Sequence, residues 1–204
     1  MEAPAKLTGK ASAQQHGRDV GVEDLGNEHL RKFWGALFTA QANGGFVELP
    51  KDVSVLGILP LDRCIFVRRC YEQLFDVMVD PKYNKLAART ARPWSSNWVI
   101  TGNPGIGKTY FAAYLMWRLA QQGATVVYEP AGGYLQKAAN VTNRYLLRPD
   151  GTVDVRAAGT GGFWAELDDP ATWFIVDAHA AISYYAARTV IVTSLYNDVY
   201  RGFL

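Results

Sequence analysis

Two cysteines among 204 residues give no disulfide framework to this chain. Cys64 and Cys70 stand in an apolar segment at a spacing foreign to Cys-x-x-Cys redox or zinc motifs, so two buried free thiols are expected. A charge excess is lacking too. Residues 1–96 carry 13 Lys+Arg against 11 Asp+Glu, residues 97–204 carry 8 against 8, and the formal net charge is +2. A protein living on phosphate-backbone contacts needs a basic surplus, so nucleic acid is not indicated as a partner. No apolar run approaches the roughly 20 residues of a membrane span. The richest stretch, Tyr110 to Trp117, is bracketed by Lys108 and Arg118. The first residues, Met1-Glu-Ala-Pro-Ala-Lys6, lack the charged-then-apolar order of a signal peptide. The Asn140-Val-Thr142 sequon matters only in a secretory lumen, and an intracellular, soluble chain is expected. There is no internal repeat.

What is present is a large apolar fraction, 49%, with 6 Trp, 11 Tyr and 9 Phe. That suits one globular domain with a modest appendage. Residues 1–28 are polar and small, and a disordered tail is expected there. Leu30, Phe33, Trp34, Leu37 and Phe38 follow the spacing of an amphipathic helix, with Gly44-Gly45 as its stop. Phe46–Leu49 and Val53–Leu59 read as extended pieces and Cys64–Val67 as a short strand. Arg68 to Val79 places Cys70, Tyr71, Leu74, Phe75 and Met78 on one helical face, ended by Asp80-Pro81. Lys82, Lys85, Arg89 and Arg92 fit a solvated linker better than a binding patch. Residues 29–96 are thus expected to form an α-rich appendage and linker.

From residue 97 short apolar strands alternate with longer segments. Trp98–Thr101, Ala124–Tyr128, Trp173–Asp177 and Thr189–Thr193 are the predicted strands. Lys108 to Gln122 is a helix apolar almost all round, closed by Gly123. Arg148-Pro-Asp-Gly151 marks a hairpin between Tyr145–Leu147 and Thr152–Val155. The pattern predicts an α/β core over 97–204, a parallel β-sheet flanked by helices.

One motif carries chemistry. Gly102-Asn103-Pro104-Gly105-Ile106-Gly107-Lys108-Thr109 fits G-x-x-x-x-G-K-[ST] in full. From this composition roughly 0.006 chance matches are expected along the chain. The motif follows a predicted strand and opens a predicted helix, the setting of a P-loop. Its glycines let main-chain N–H groups converge on phosphate oxygens. Lys108 would reach the β- and γ-phosphates and the Thr109 hydroxyl would ligate Mg²⁺. A second magnesium anchor is expected at the end of a buried strand, and Asp177 ends Trp173-Phe-Ile-Val-Asp177. Ser194, at the tip of the last strand, is the candidate for contact with the γ-phosphate or the attacking water. The Glu that often follows the Asp is replaced by Ala178. His179, Glu129, Glu166, Asp168 and Asp169 are other conceivable bases without a spacing argument. Arg188 and Arg201 read as surface charges rather than arginine fingers. Nucleotide binding is therefore better supported than fast hydrolysis.

Several stretches together resemble the P-loop NTPase module of the Crinkler effectors of oomycetes and related eukaryotes. They are Phe66-Val-Arg-Arg-Cys-Tyr71, Trp98–Thr109, Tyr114-Leu-Met-Trp-Arg-Leu-Ala120, Thr172–Asp177 and Thr189–Ser194. Trypanosome retrotransposon-hot-spot proteins look similar at the P-loop and less so around it. The resemblance implies an ATP- and Mg²⁺-binding module of the AAA+/STAND-like division. It carries over Gly102, Gly107, Lys108 and Thr109 for phosphate and magnesium, and Asp177 for magnesium. It also implies delivery into a host cell, to cytoplasm or nucleus, with host proteins as partners, and oligomers as in ring-forming relatives. The family's N-terminal Leu-Phe-Leu-Ala-Lys motif does not occur. Few residues follow Ser194, so the sheet is expected to be truncated, without a fifth parallel strand or helical lid. Two other readings stay open: a degenerate module acting through protein interaction, and a small-molecule kinase whose lid would use Arg144, Arg148 and Arg156.

Overall fold

In the computed structural model, residues 22–59, 61–80, 97–131, 143–158, 161–179 and 185–195 are described. The sequon, the basic stretch 81–96 and Arg201 lie outside them. Helix α1 spans Val22–Leu37, so it begins inside the stretch expected as a tail. It buries Leu30, Phe33, Trp34 and Leu37, the stripe its periodicity predicts. Gly44-Gly45 does not end it. The helix ends at Leu37, and carbonyls at its end are satisfied from a distant segment: Gln121 Nε2 donates to Leu37 O at 2.6 Å and to Phe38 O at 3.2 Å. Gly44 and Gly45 have φ of 59° and 85° and make the tight turn between strands β1 (Ala42–Asn43) and β2 (Phe46–Glu48). β2 pairs antiparallel with β3 (Cys64–Phe66), so the appendage carries a small sheet as well as helices. Between β2 and β3, Val55–Gly57 forms a short 3₁₀ turn where an extended piece was expected.

Helix α2 spans Arg69–Val79 and buries Tyr71, Phe75 and Met78. Cys70 is exposed and Cys64 half-buried, both as free thiols, which corrects the expectation of two buried ones. A residue's step of roughly 100° around a helix turns Cys70 away from the Tyr71 stripe.

The second sheet has six strands: β4 (Trp98–Gly102), β5 (Val126–Glu129), β6 (Asn143–Leu147), β7 (Val153–Ala157), β8 (Trp173–Asp177) and β9 (Arg188–Ser194). Their order is β4-β9-β8-β5-β6-β7. The first four are parallel, as predicted, but β6 joins β5 antiparallel and β7 joins β6 antiparallel. The sheet is therefore mixed. The hairpin foreseen at 148–151 is the extension that makes it so.

Strand β8 shows how both faces are covered. Trp173 and Ile175 join the core that contains α3 (Lys108–Gln121) and α1, while Phe174 and Val176 pack with Phe163 and Leu167 at the short helix α4 (Trp164–Leu167). Leu30 and Trp34 of α1, Phe75 of α2 and eight residues of α3 are buried in that first core. Trp34 Nε1 donates to Arg148 O at 2.8 Å and Trp117 Nε1 to Ala40 O at 2.9 Å, so polar ties cross the same boundary.

Candidate functional site

The loop 102–109 connects β4 to α3. Gly105 and Gly107 take φ of 79° and 94°, left-handed values that side-chain-bearing residues resist. Gly107 is the N-cap of α3 and offers no side-chain cap, and the first turn of α3 holds no acidic residue. The free N–H groups of a fourteen-residue helix thus stay available to an outside anion. Lys108 Nζ spans the loop, donating to Gly102 O at 2.9 Å and Asn103 O at 2.8 Å. These bonds hold the ammonium beside the loop, in place to exchange carbonyls for phosphate oxygens.

Strand order brings Asp177 to the same place. β9 lies between β4 and β8, with Gly102 opposite Ser194 and Asp177 opposite Val192. A cavity of about 380 Å³ opens there, lined by Gly105, Gly107, Lys108, Thr109, Asp177 and Ser194 among others. That lies in the range of small-ligand sites. All the residues proposed for catalysis or metal, namely Lys108, Thr109, Asp177 and Ser194, line this one cavity. Of the loop's other members, Pro104 lines it as well, whereas Ile106 is exposed.

Asp177 is buried, and its Oδ2 has no hydrogen-bond partner. Burial pushes its carboxyl up to about 6, opposed by a hydrogen bond from Thr109 and by the charges of His179 and Lys108. An orphaned carboxylate oxygen beside a threonine hydroxyl fits a divalent cation. Among the described residues no group of three or more His, Cys, Asp or Glu could hold a metal alone. A cation here would take its remaining ligands from water and from the bound anion, as Mg²⁺ does. Tyr128, fully buried on β5, also has a hydroxyl without a partner, and burial first, then the Asp177 charge, raises it well above the ordinary tyrosine value.

The shift at Asp177 has a stability consequence. A carboxyl favouring its proton in the fold stabilises most below the unfolded value near 4, and that contribution is lost as pH rises to about 6. In metal-free protein, Asp177→Asn is expected to be more stable than the parent at pH 7 by about 3 kcal/mol, with the difference shrinking towards pH 4. Urea melts of both proteins across that range check this; a constant difference contradicts it.

Among the described candidates, Glu166, Asp168 and Asp169 do not line the cavity, while Glu129, His179 and the arginines make contacts elsewhere. Glu129, at the end of β5, is fully buried. Its Oε1 meets Arg144 at 2.5 Å and its Oε2 meets His179 Nε2 at 2.8 Å. The other ring nitrogen of His179 lies 2.9 Å from Asp177 O. Both nitrogens are occupied, so His179 presents no free one to the cavity. Arg144 also donates to Gly162 O at 2.8 Å and lies against the Phe174 and Tyr185 rings. Arg148 pairs with Asp154 at 2.7 Å, and Arg156 lies over Phe163. Arg188 lies over Trp173. Ala178 follows Asp177 at φ 64°, its N–H bonded to Val192 O at 2.7 Å.

Sequence reasoning missed five contributors. Ile58 and Leu61 of the appendage and Tyr110 of α3 line the cavity. Arg68 donates to Ile106 O at 2.6 Å and Tyr71 to Gly107 O at 2.7 Å, from outside the loop. Only the position of Tyr110, next to Thr109, was a local signal. Compared with protein-family profiles, curated proteins and solved structures, the chain matches none of them. No described helix is long and apolar enough to cross a membrane.

Proposed function

We propose that this chain is a P-loop NTPase module that binds ATP, or another nucleoside triphosphate, with Mg²⁺. The observation that carries the reading is one cavity shared by the Gly102–Thr109 loop and the buried, half-unsatisfied Asp177. The order β4-β9-β8 supports it further, because it sets the ends of the loop strand, the Ser194 strand and the Asp177 strand side by side. The backbone donors of 105–109 and Lys108 hold the phosphates. Thr109 and Asp177 hold the cation, which supplies charge neutralisation to the terminal phosphate. Ser194 stands at the strand tip where a water attacking that phosphate would pass. The effector role, host-cell site and host protein partners rest on the Crinkler resemblance alone.

Hydrolysis is slow in this reading. Ala178 supplies no carboxylate, and Glu129 and His179 are spent on each other and on Arg144. The same observation favours the second reading, a nucleotide-gated scaffold. A turnover assay separates them: phosphate release above background that Asp177→Asn lowers at least about 100-fold marks an ATPase. ATP binding without release marks the scaffold, and absence of binding rejects both. Of the three arginines a kinase lid would use, Arg144 is buried and paired with Glu129.

A further inference from the structure

We propose that Arg68 and Tyr71 are positioning residues that aim two main-chain donors of the loop at the bound phosphates, which makes the N-terminal segment part of the site. The inference rests on the nucleotide reading above. Its basis is peptide geometry. In a planar trans peptide the C=O and the N–H point in opposite directions. The Ile106 carbonyl shares its peptide with the Gly107 N–H, and the Gly107 carbonyl shares its peptide with the Lys108 N–H. Arg68 draws the first carbonyl outward and Tyr71 the second. The paired N–H groups then face the other way, towards the cavity that Gly107 and Lys108 line.

Both side chains are themselves held. Tyr71 is buried at the start of α2, with its ring against Phe111 at 5.3 Å and Tyr114 at 5.6 Å, both on α3. Burial keeps its phenol above the ordinary value, so the hydroxyl stays a donor. The Arg68 guanidinium rests over the Phe66 and Tyr71 rings. The fit is close: a Cβ on Gly107 would come within 2.6 Å of the Tyr71 hydroxyl. Gly107 O also accepts the Phe111 N–H at 2.9 Å, so it carries two donors, one of them from the appendage. Pre-aimed donors spare the ligand the cost of ordering the loop, the usual advantage of a preorganised anion site. Displacement of α2 would free the carbonyls and weaken phosphate binding, which gives the appendage control over the site.

The test is calorimetry of the full chain, Tyr71→Phe and Arg68→Gln with Mg·ATP and with Mg·tripolyphosphate. Each variant is expected to bind both ligands roughly three- to tenfold more weakly, the effect of one lost hydrogen bond, and by the same factor for the two. The Tyr71→Phe loss is expected to be unchanged by added salt, since no charge is removed. Arg68 is exposed, so its variant keeps the parent's melting temperature and decides the matter if Tyr71→Phe fails to fold. Parental affinity in folded variants overturns the inference and leaves the nucleotide reading intact. So does a loss seen with ATP and absent with tripolyphosphate. No binding by the parent chain overturns both.

Discussion

Lys108→Ala is expected to abolish Mg·ATP binding, with Kd raised by at least about 100-fold, or about 3 kcal/mol. The side chain makes charge-assisted bonds, the strong class, and among the described residues it is the one cation lining a cavity otherwise walled by backbone, apolar residues, two threonines, a serine, a tyrosine and Asp177. The core sequence has as many acids as bases, so no general basic field compensates its loss. Stability should change little, within about 0.5 kcal/mol, because Lys108 is only half-buried and bonds two carbonyls of its own loop. Calorimetry on the folded variant checks this. Unchanged affinity rejects the nucleotide reading, because no other described residue can take the role.

Arg144→Met is expected to destabilise the fold by about 3–5 kcal/mol, seen as a fall in Tm of roughly 10 °C. Arg144 and Glu129 are 1% and 0% exposed, and removing the guanidinium leaves a carboxylate in the interior with His179 alone. Gly162 O and the Tyr185 hydroxyl lose a donor as well. Replacing both partners, as Arg144→Met with Glu129→Leu, should recover most of the loss, since an apolar pair of similar volume carries no desolvation penalty. Thermal melts of the single and double variants measure it. A single variant within 1 kcal/mol of the parent, on the same scale, would mean that Glu129 is held by other groups.

The two experiments probe layers of the molecule that differ in how local their causes are. Loop 102–109 is a contiguous octapeptide whose glycines, lysine and threonine act through backbone conformation and chain neighbours. It could be read without any fold. The same holds for the stripe Leu30, Phe33, Trp34 and Leu37, for β8 with its terminal acid, and for the 148–151 turn. Each follows from periodicity or turn chemistry within a few residues. Asp177 was found the same way, but its raised carboxyl was not. That requires the burial produced by β9 and β5 on either side.

Other features had no local signal. An apolar run pairs equally well with a parallel or an antiparallel neighbour, so the mixed character of the sheet was invisible until β6 took its place beside β5. The donor to the last carbonyl of α1, Gln121, lies far along the chain. Glu129, Arg144 and His179 come from three segments and meet only because β5, β6 and the turn after β8 converge.

By itself, then, the sequence determined a glycine-rich strand-to-helix loop with a lysine and a threonine, an acid at the end of a buried strand, and an α/β alternation around them. Those properties arise within one turn or one strand, where neighbours in sequence are neighbours in space. The tertiary structure alone decided that loop and acid share a cavity, that Glu129 is tied up with Arg144 and His179, and that Arg68 and Tyr71 reach the loop from the appendage. These depend on contacts between distant segments, which strand order and helix packing create.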